Sequence, residues 1–314
     1  MSPDEAFDVR RNIELAFDQP LLPLSVNRQS VGLRDANGNG VTSPVILYDP
    51  ITRVVSIAPP AGGPWLQPGL AYKVVLTVPS GEDDASGLRS VGRGTLDPKV
   101  RHEIGFQTCG GTRPCPATPL PTVARVRFCN DVMPIFVRHC SGGICHGSPV
   151  GDQKPAASLV LDTSIGVAKT AIGRVAQGAN TGASSGRVQP AGHLFGVDMA
   201  IVQPYSPANS WLMYKLAIAE PHDDGVDAGA ALRPRCYPTE SPNAPVDPFG
   251  GGSPFQVKYT RMSASDRAAL ADYVFGNPMP YPSPDNTVGF DEIERIRAWI
   301  EQGAVVEECG ACEP

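Results

Sequence analysis

The sequence predicts two domains in tandem, an all-β sandwich followed by a mainly α domain that carries a loop-rich insert. Three observations lead there. The chain has 314 residues, against about 100 to 200 for one domain. Strand-forming runs divided by turn signals fill its first third. Helical spacing of apolar residues replaces them after a proline-rich stretch.

The β half covers residues 1–108. NIELAFD (12–18), SPVILYDP (43–50), RVVSIAP (53–59), LAYKVVLTVP (70–79) and RHEIGFQT (101–108) are rich in β-branched and aromatic residues and are separated by Gly, Pro, Asn and Asp. Short strands spaced this way predict a sandwich. NGNG at 37–40 predicts a tight turn between LRDA and VTSPVI, because Asn and Gly accept positive φ. His102 stands alone here and reads as a surface strand residue, so this half offers no catalytic set.

CGGTRPCPATPLPT (109–122) reads as an extended, semi-rigid linker. The α half runs from 123 to 314. RFCNDVMPIFVRHC (127–140) sets Val132, Ile135, Phe136 and His139 at helical spacing, with Asn130 or Asp131 as cap and Pro134 in the first turn. TSIGVAKTAIG (163–173) and NSWLMYKLAI (209–218) predict two more helices. Ser263 and Asp266 open a fourth as a capping box, ending near Phe275. Ile293, Ile296, Trp299 and Ile300 form the buried stripe of a fifth, from about 290 to 302, closed by Gly303. The insert, at about 220–260, is rich in Pro and Gly.

Gly and Pro, 33 of each, stay below the level of a low-complexity chain but predict many loops. A net charge of -6 argues against nucleic acid or an anionic membrane as the main partner and leaves a basic redox protein as a fitting one. No apolar run reaches the roughly 18 residues of a membrane span. The start MSPDEAFDVRR lacks the apolar stretch of a signal peptide. Eight cysteines favour an oxidising compartment, so the chain is expected to be exported, to the periplasm, cell surface or medium, with its signal removed or replaced.

HCSGGICHG (139–147) is the stretch with the most chemistry. Covalent haem attachment needs two thiols to reach two vinyl groups and a histidine to ligate iron from one side. The common spacing is C-x-x-C-H. Here Cys140, Cys145 and His146 give C-x4-C-H, and Ser141, Gly142 and Gly143 let the two extra residues bulge. The spacing alone also fits a short Cys140–Cys145 disulfide loop, a zinc site still needing a fourth ligand, or a catalytic thiol for which no base is evident.

FCNDVMPIFVRHCSGGICHG (128–147) resembles the haem-attachment segment of planctomycete-type cytochrome c domains. IVQPYSPANSWLMYKL (201–216) and GNPMPYPSPDNTVGFDEIERIRAWIEQGA (276–304) resemble two further blocks of the same family, in the same order, over about 123–305. The resemblance implies a cytochrome c-like haem domain with one haem c per chain. Cys140 and Cys145 would form its thioethers, with His146 as proximal and Met279 as distal iron ligand. Met199 and His193 are rivals to Met279, while Met213 reads as core. The cysteine spacing and the long interval between His146 and Met279 depart from the family pattern. In the N-terminal half, LRDANGNGV, LAYKVVLTVPSG, GLRS, IGFQT and the spacing of Phe17 and Phe106 resemble an SbsA-type bacterial immunoglobulin-like domain over about 8–108, which implies a spacer or display module.

Six cysteines remain, enough for three disulfides with 15 conceivable pairings. Cys109 and Cys115 are near enough to close a small loop. Cys129, Cys236, Cys309 and Cys312 would tie the first helix, the insert and the tail. The terminal CGAC lacks a following His. With Met and His on iron there is no open position for substrate, so the expected function is extracytoplasmic electron transfer to an unidentified redox partner rather than catalysis. The alternatives are a haem enzyme with an open iron site and a haem-free, disulfide-stapled surface or adhesion protein. Self-assembly has no signal for or against it.

Overall fold

Period-two alternation of apolar residues builds the first part of the molecule. The computed structural model describes residues 6–41, 43–60, 65–81, 84, 86–97, 99–111, 114–115, 125–141, 145–176, 195, 198–219, 262–281 and 288–310. The described residues through Cys115 form one compact unit and those from Arg125 onward another.

Six strands make up the first unit: β1 (Ile13–Ala16), β2 (Val31–Asp35), β3 (Val45–Asp49), β4 (Val54–Ala58), β5 (Ala71–Leu76) and β6 (Glu103–Gln107). They form two three-stranded antiparallel sheets, ordered β1-β4-β3 and β2-β5-β6. Alternate residues turn inward, so Val55 and Ile57 of β4 and Tyr72, Val74 and Leu76 of β5 are buried while their neighbours are more exposed. In register, Ile13 faces Ile57 and Val31 faces Leu76, each pair matching two buried side chains. Phe106 of β6 packs against Phe7 and Tyr72, with ring centroids 5.3 and 6.0 Å away.

The NGNG turn forms, but it does not join two strands of one sheet. Asp35 Oδ1 accepts the N–H groups of Asn37 and Asn39, and Gly38 takes φ +87°. Beyond the single bridge between Arg34 and Gly40, the ladder stops. Ser43 at φ +50° breaks the extended backbone and Pro44 lacks a donor. β3 therefore pairs with β4, and β2 pairs with β5. A Cys109–Cys115 disulfide follows β6.

The second unit holds α1 (Met133–Cys140), α2 (Ser164–Thr170), α3 (Trp211–Ala217), α4 (Ala264–Ala271) and α5 (Phe290–Glu301). A π-helical turn, Phe128–Val132, leads into α1, and Pro134 sits in the first turn of α1. Asp131 does not cap α1 as expected; its carboxylate accepts Arg127 N–H at 2.7 Å, at the start of the π turn. Thr163 caps α2 by accepting Gly166 N–H, and Ser263 and Asp266 form a reciprocal capping box on α4. On α5, Ile293, Ile296, Trp299 and Ile300 are all buried. Trp299 packs among Phe128 and Phe136 at 5.4 and 6.1 Å, joining α5 to α1 and its entry turn. Every residue of α3 is buried. The Cys129–Cys309 disulfide ties the π turn to the tail across 180 positions. Among the described residues no helix is long and apolar enough to cross a membrane.

The expected fold class is corrected. In place of an immunoglobulin-like sandwich and a mainly α cytochrome c-like domain, the described residues contain two small three-stranded sheets and five short helices. Helical periodicity is present in the sequence, but each run is brief: α2 and α3 have seven residues, α1 and α4 eight, α5 twelve. Much of the second core is carried by connecting segments instead, through Val126, Leu161, Ala176, Met199, Val202, Val288 and Ala304. α5 does end where expected, closed by Gly303 at φ +108°, where a Cβ would have no room against the Tyr205 ring. The expected insert and most of the linker lie outside the described residues, as do His193, Cys236 and Cys312.

Candidate functional site

α1 delivers Cys140 at its last turn, where the chain leaves the helix and comes back on itself. His146 N–H donates to Cys140 C=O at 2.9 Å, which brings Cys145 and His146 back to the end of α1. Two further backbone bonds fix the returning strand of that loop: Ala156 N–H to Cys145 C=O at 2.8 Å and Leu161 N–H to His146 C=O at 2.7 Å. Asp162 holds the exit by accepting from the Ser148 backbone and, at 2.7 Å, from the Ser148 hydroxyl. Gly147 fits a place no larger residue can take, since a Cβ there would lie 2.6 Å from Ser141 C=O.

The three sequence-predicted attachment residues are thus brought together. Cys140 and Cys145 are free thiols, each half-buried. Burial first, then the neighbouring Cys145 and Glu292, push the Cys140 thiol up to about 12. His146 Nδ1 lies 3.1 Å from Ala156 C=O. A carbonyl only accepts, so Nδ1 carries the proton and Nε2 is left with its lone pair. Burial lowers the His146 pKa, against the opposing pull of the Ala156 and Leu159 carbonyls, and so favours the neutral ring that a metal needs.

Met279 occupies a separate segment. It is half-buried, precedes a cis bond to Pro280, and donates its N–H to Lys215 C=O of α3 at 3.2 Å. Met199 is buried in a connecting segment, where its C=O accepts Ala176 N–H at 2.9 Å. Met213 is fully buried on α3. His193, the remaining rival, falls outside the described residues.

Two features beside the loop have only faint sequence signals. His139 Nε2 and Glu292 Oε2 form a buried pair at 3.1 Å, tying the end of α1 to the first turn of α5 next to Cys140. The same Glu292 oxygen accepts Gly289 N–H at 3.1 Å, so one carboxylate serves helix start and cross-link together. Lys215 is the second, a lysine within the apolar run WLMYKLAI. Its Nζ donates to Phe275 C=O at 2.8 Å, and burial alone lowers its pKa to about 8. A charged residue inside a wholly apolar helix was the available clue to it.

The donor set fits covalent haem: two adjacent free thiols, an imidazole with its Nε2 lone pair available, and a glycine-walled return. Among the described residues no three His, Cys, Asp or Glu side chains converge to hold a metal ion. No family model, curated protein or solved structure matches the chain.

Proposed function

We propose that the chain is a monohaem c-type electron carrier of an exported compartment, with Cys140 and Cys145 as the attachment thiols, His146 as one axial ligand and Met279 as the other. The observation that carries the reading is the orientation of His146. Its Nδ1–H is held by the Ala156 carbonyl, which fixes the tautomer and the ring plane and leaves Nε2 as donor. The similarity of HCSGGICHG and its flanks to planctomycete-type haem-attachment segments supports it from the sequence.

Haem held by these residues would supply a one-electron ferric/ferrous couple. The chain's own part is to hold and shield. Cys140 and Cys145 would hold the haem covalently, while Gly147 lets the chain turn back against Ser141 and Asp162 anchors the exit through Ser148. Burial favours the neutral form of His146, whose Nδ1–H is held by the Ala156 carbonyl. Met279 would contribute a soft thioether, which favours the ferrous state more than a second nitrogen ligand would. Export is supported by the Cys109–Cys115 and Cys129–Cys309 disulfides. The acidic net charge of -6 suits a redox partner with a basic patch.

Carbon monoxide tests the ligand set. The reduced wild-type protein should show no change in its visible spectrum, whereas Met279→Ala should bind the gas and have a lower potential. A wild type that binds carbon monoxide at once would favour an open-site haem enzyme. A Met279→Ala spectrum identical to wild type would move the distal role to Met199 or His193.

A further inference from the structure

Lys215 has no stabilising reason to be where it is. Its side chain is buried on a helix whose other residues are buried too, and among the described residues it has no carboxylate partner. An amine removed from water with one carbonyl acceptor costs folding free energy that a methionine or leucine would not. Lys215 spans one short segment at both ends. Its Nζ donates to Phe275 C=O at 2.8 Å, and its own C=O accepts Met279 N–H at 3.2 Å. Between these points Gly276 takes φ +82°, and a Cβ on it would lie 3.3 Å from Lys215 Nζ. The amine is thus seated against the turn that sets the course of the chain towards Met279.

We infer that Lys215 is a positioning residue for Met279, clamping the Phe275–Met279 segment onto α3 so that the thioether is presented at one fixed place. The inference rests on the proposed role of Met279 as an iron ligand. Lys215 touches neither haem nor iron in this account; it acts through the backbone of the segment. Its removal should therefore loosen the iron–sulfur bond while leaving the attachment loop and the fold in place.

The test uses the full haem-loaded chain and three readouts: the charge-transfer band of thioether sulfur on ferric haem iron, the reduction potential, and the affinity of the ferric protein for imidazole. Lys215→Met keeps length and apolar bulk but removes the Nζ donor. It should weaken the band, lower the potential and raise imidazole affinity about tenfold, the usual size of an outer-shell effect on a metal site. Lys215→Arg, which retains a donor, should recover part of the loss. The thermal midpoint should be little changed or higher in Lys215→Met, which a merely structural role would not predict alongside a loosened ligand. Gly276→Ala strains the same turn from its other side and should reproduce the spectral change, so the inference stays testable if Lys215→Met fails to fold. Wild-type band, potential and imidazole affinity in the variants would overturn it while leaving Met279 as ligand. A wild type whose band survives Met279→Ala would overturn the ligand assignment, and the inference with it.

Discussion

At the level of single residues, two positions have consequences that can be measured without knowing the redox partner. Gly147 stands where a Cβ would come within 2.6 Å of the Ser141 carbonyl. Gly147→Ala must push one strand of the attachment loop away from the other, at a cost of about 1–3 kcal/mol. Urea unfolding should show that loss, and the same displacement should reduce the fraction of chains carrying haem. A variant with wild-type midpoint and haem content would mean that the loop relaxes freely and that Gly147 does not shape it.

Lys215 gives the molecule a pH dependence with a definite sign. Burial holds its folded pKa near 8, below the ordinary 10.5. Below about 8 the amine is protonated in both folded and unfolded chains, and its desolvation opposes folding. Between about 8 and 10.5 the unfolded chain keeps a proton that the folded chain has released, so this group makes stability rise with pH. Relative to Lys215→Met, the wild-type urea midpoint should climb across that window. A constant difference between the two proteins would show that the amine is as well solvated as in the unfolded chain.

Among the elements, what could be read in advance was local and short in range. Five strand runs were legible because period-two alternation and turn residues lie within a few positions of each other, and β1, β3, β4, β5 and β6 fall inside the expected segments. The extent of β2 and its partner were not, because a turn such as NGNG specifies a reversal but not the sheet that the next strand joins. Ser43 at φ +50° decides that, and serine carries no sequence signal for it. Helix positions were likewise legible from Ile293, Ile296, Trp299 and Ile300. The proportion of helix was not, because periodicity locates a helix without saying how much of the surrounding chain is loop. The attachment residues Cys140, Cys145 and His146 stood out by spacing, whereas the tautomer of His146 depends on Ala156, ten positions away on a returning segment. The buried pair His139–Glu292 spans two helices far apart in sequence, and no local pattern encodes such a contact.

For the molecule as a whole, a long-range covalent tie among the described residues holds the second unit. Cys129–Cys309 joins the entry of α1 to the tail beyond α5, a separation of 180 positions, and it encloses the attachment loop and the other helices of that unit. Closing so long a loop restricts the unfolded chain strongly, so replacing both cysteines by serine should cost about 2–5 kcal/mol. Denaturant unfolding of the double variant measures this directly, and an unchanged midpoint would mean that packing of Trp299 among Phe128 and Phe136 suffices to hold the tail. The acidic surface predicts a second whole-molecule behaviour: electron transfer to a basic partner should slow as ionic strength rises. A rate independent of salt would argue for a partner recognised through apolar contact.

Covalent attachment of haem to HCSGGICHG is read from a reduced-minus-oxidised visible spectrum followed by acid–organic extraction. The protein is to be produced as an exported chain in a host able to attach haem c. Sharp low-spin bands are expected, with a chromophore that stays with the polypeptide through extraction. A colourless chain, or haem that leaves with the organic phase, would contradict it and return Cys140 and Cys145 to the reading of a short disulfide loop.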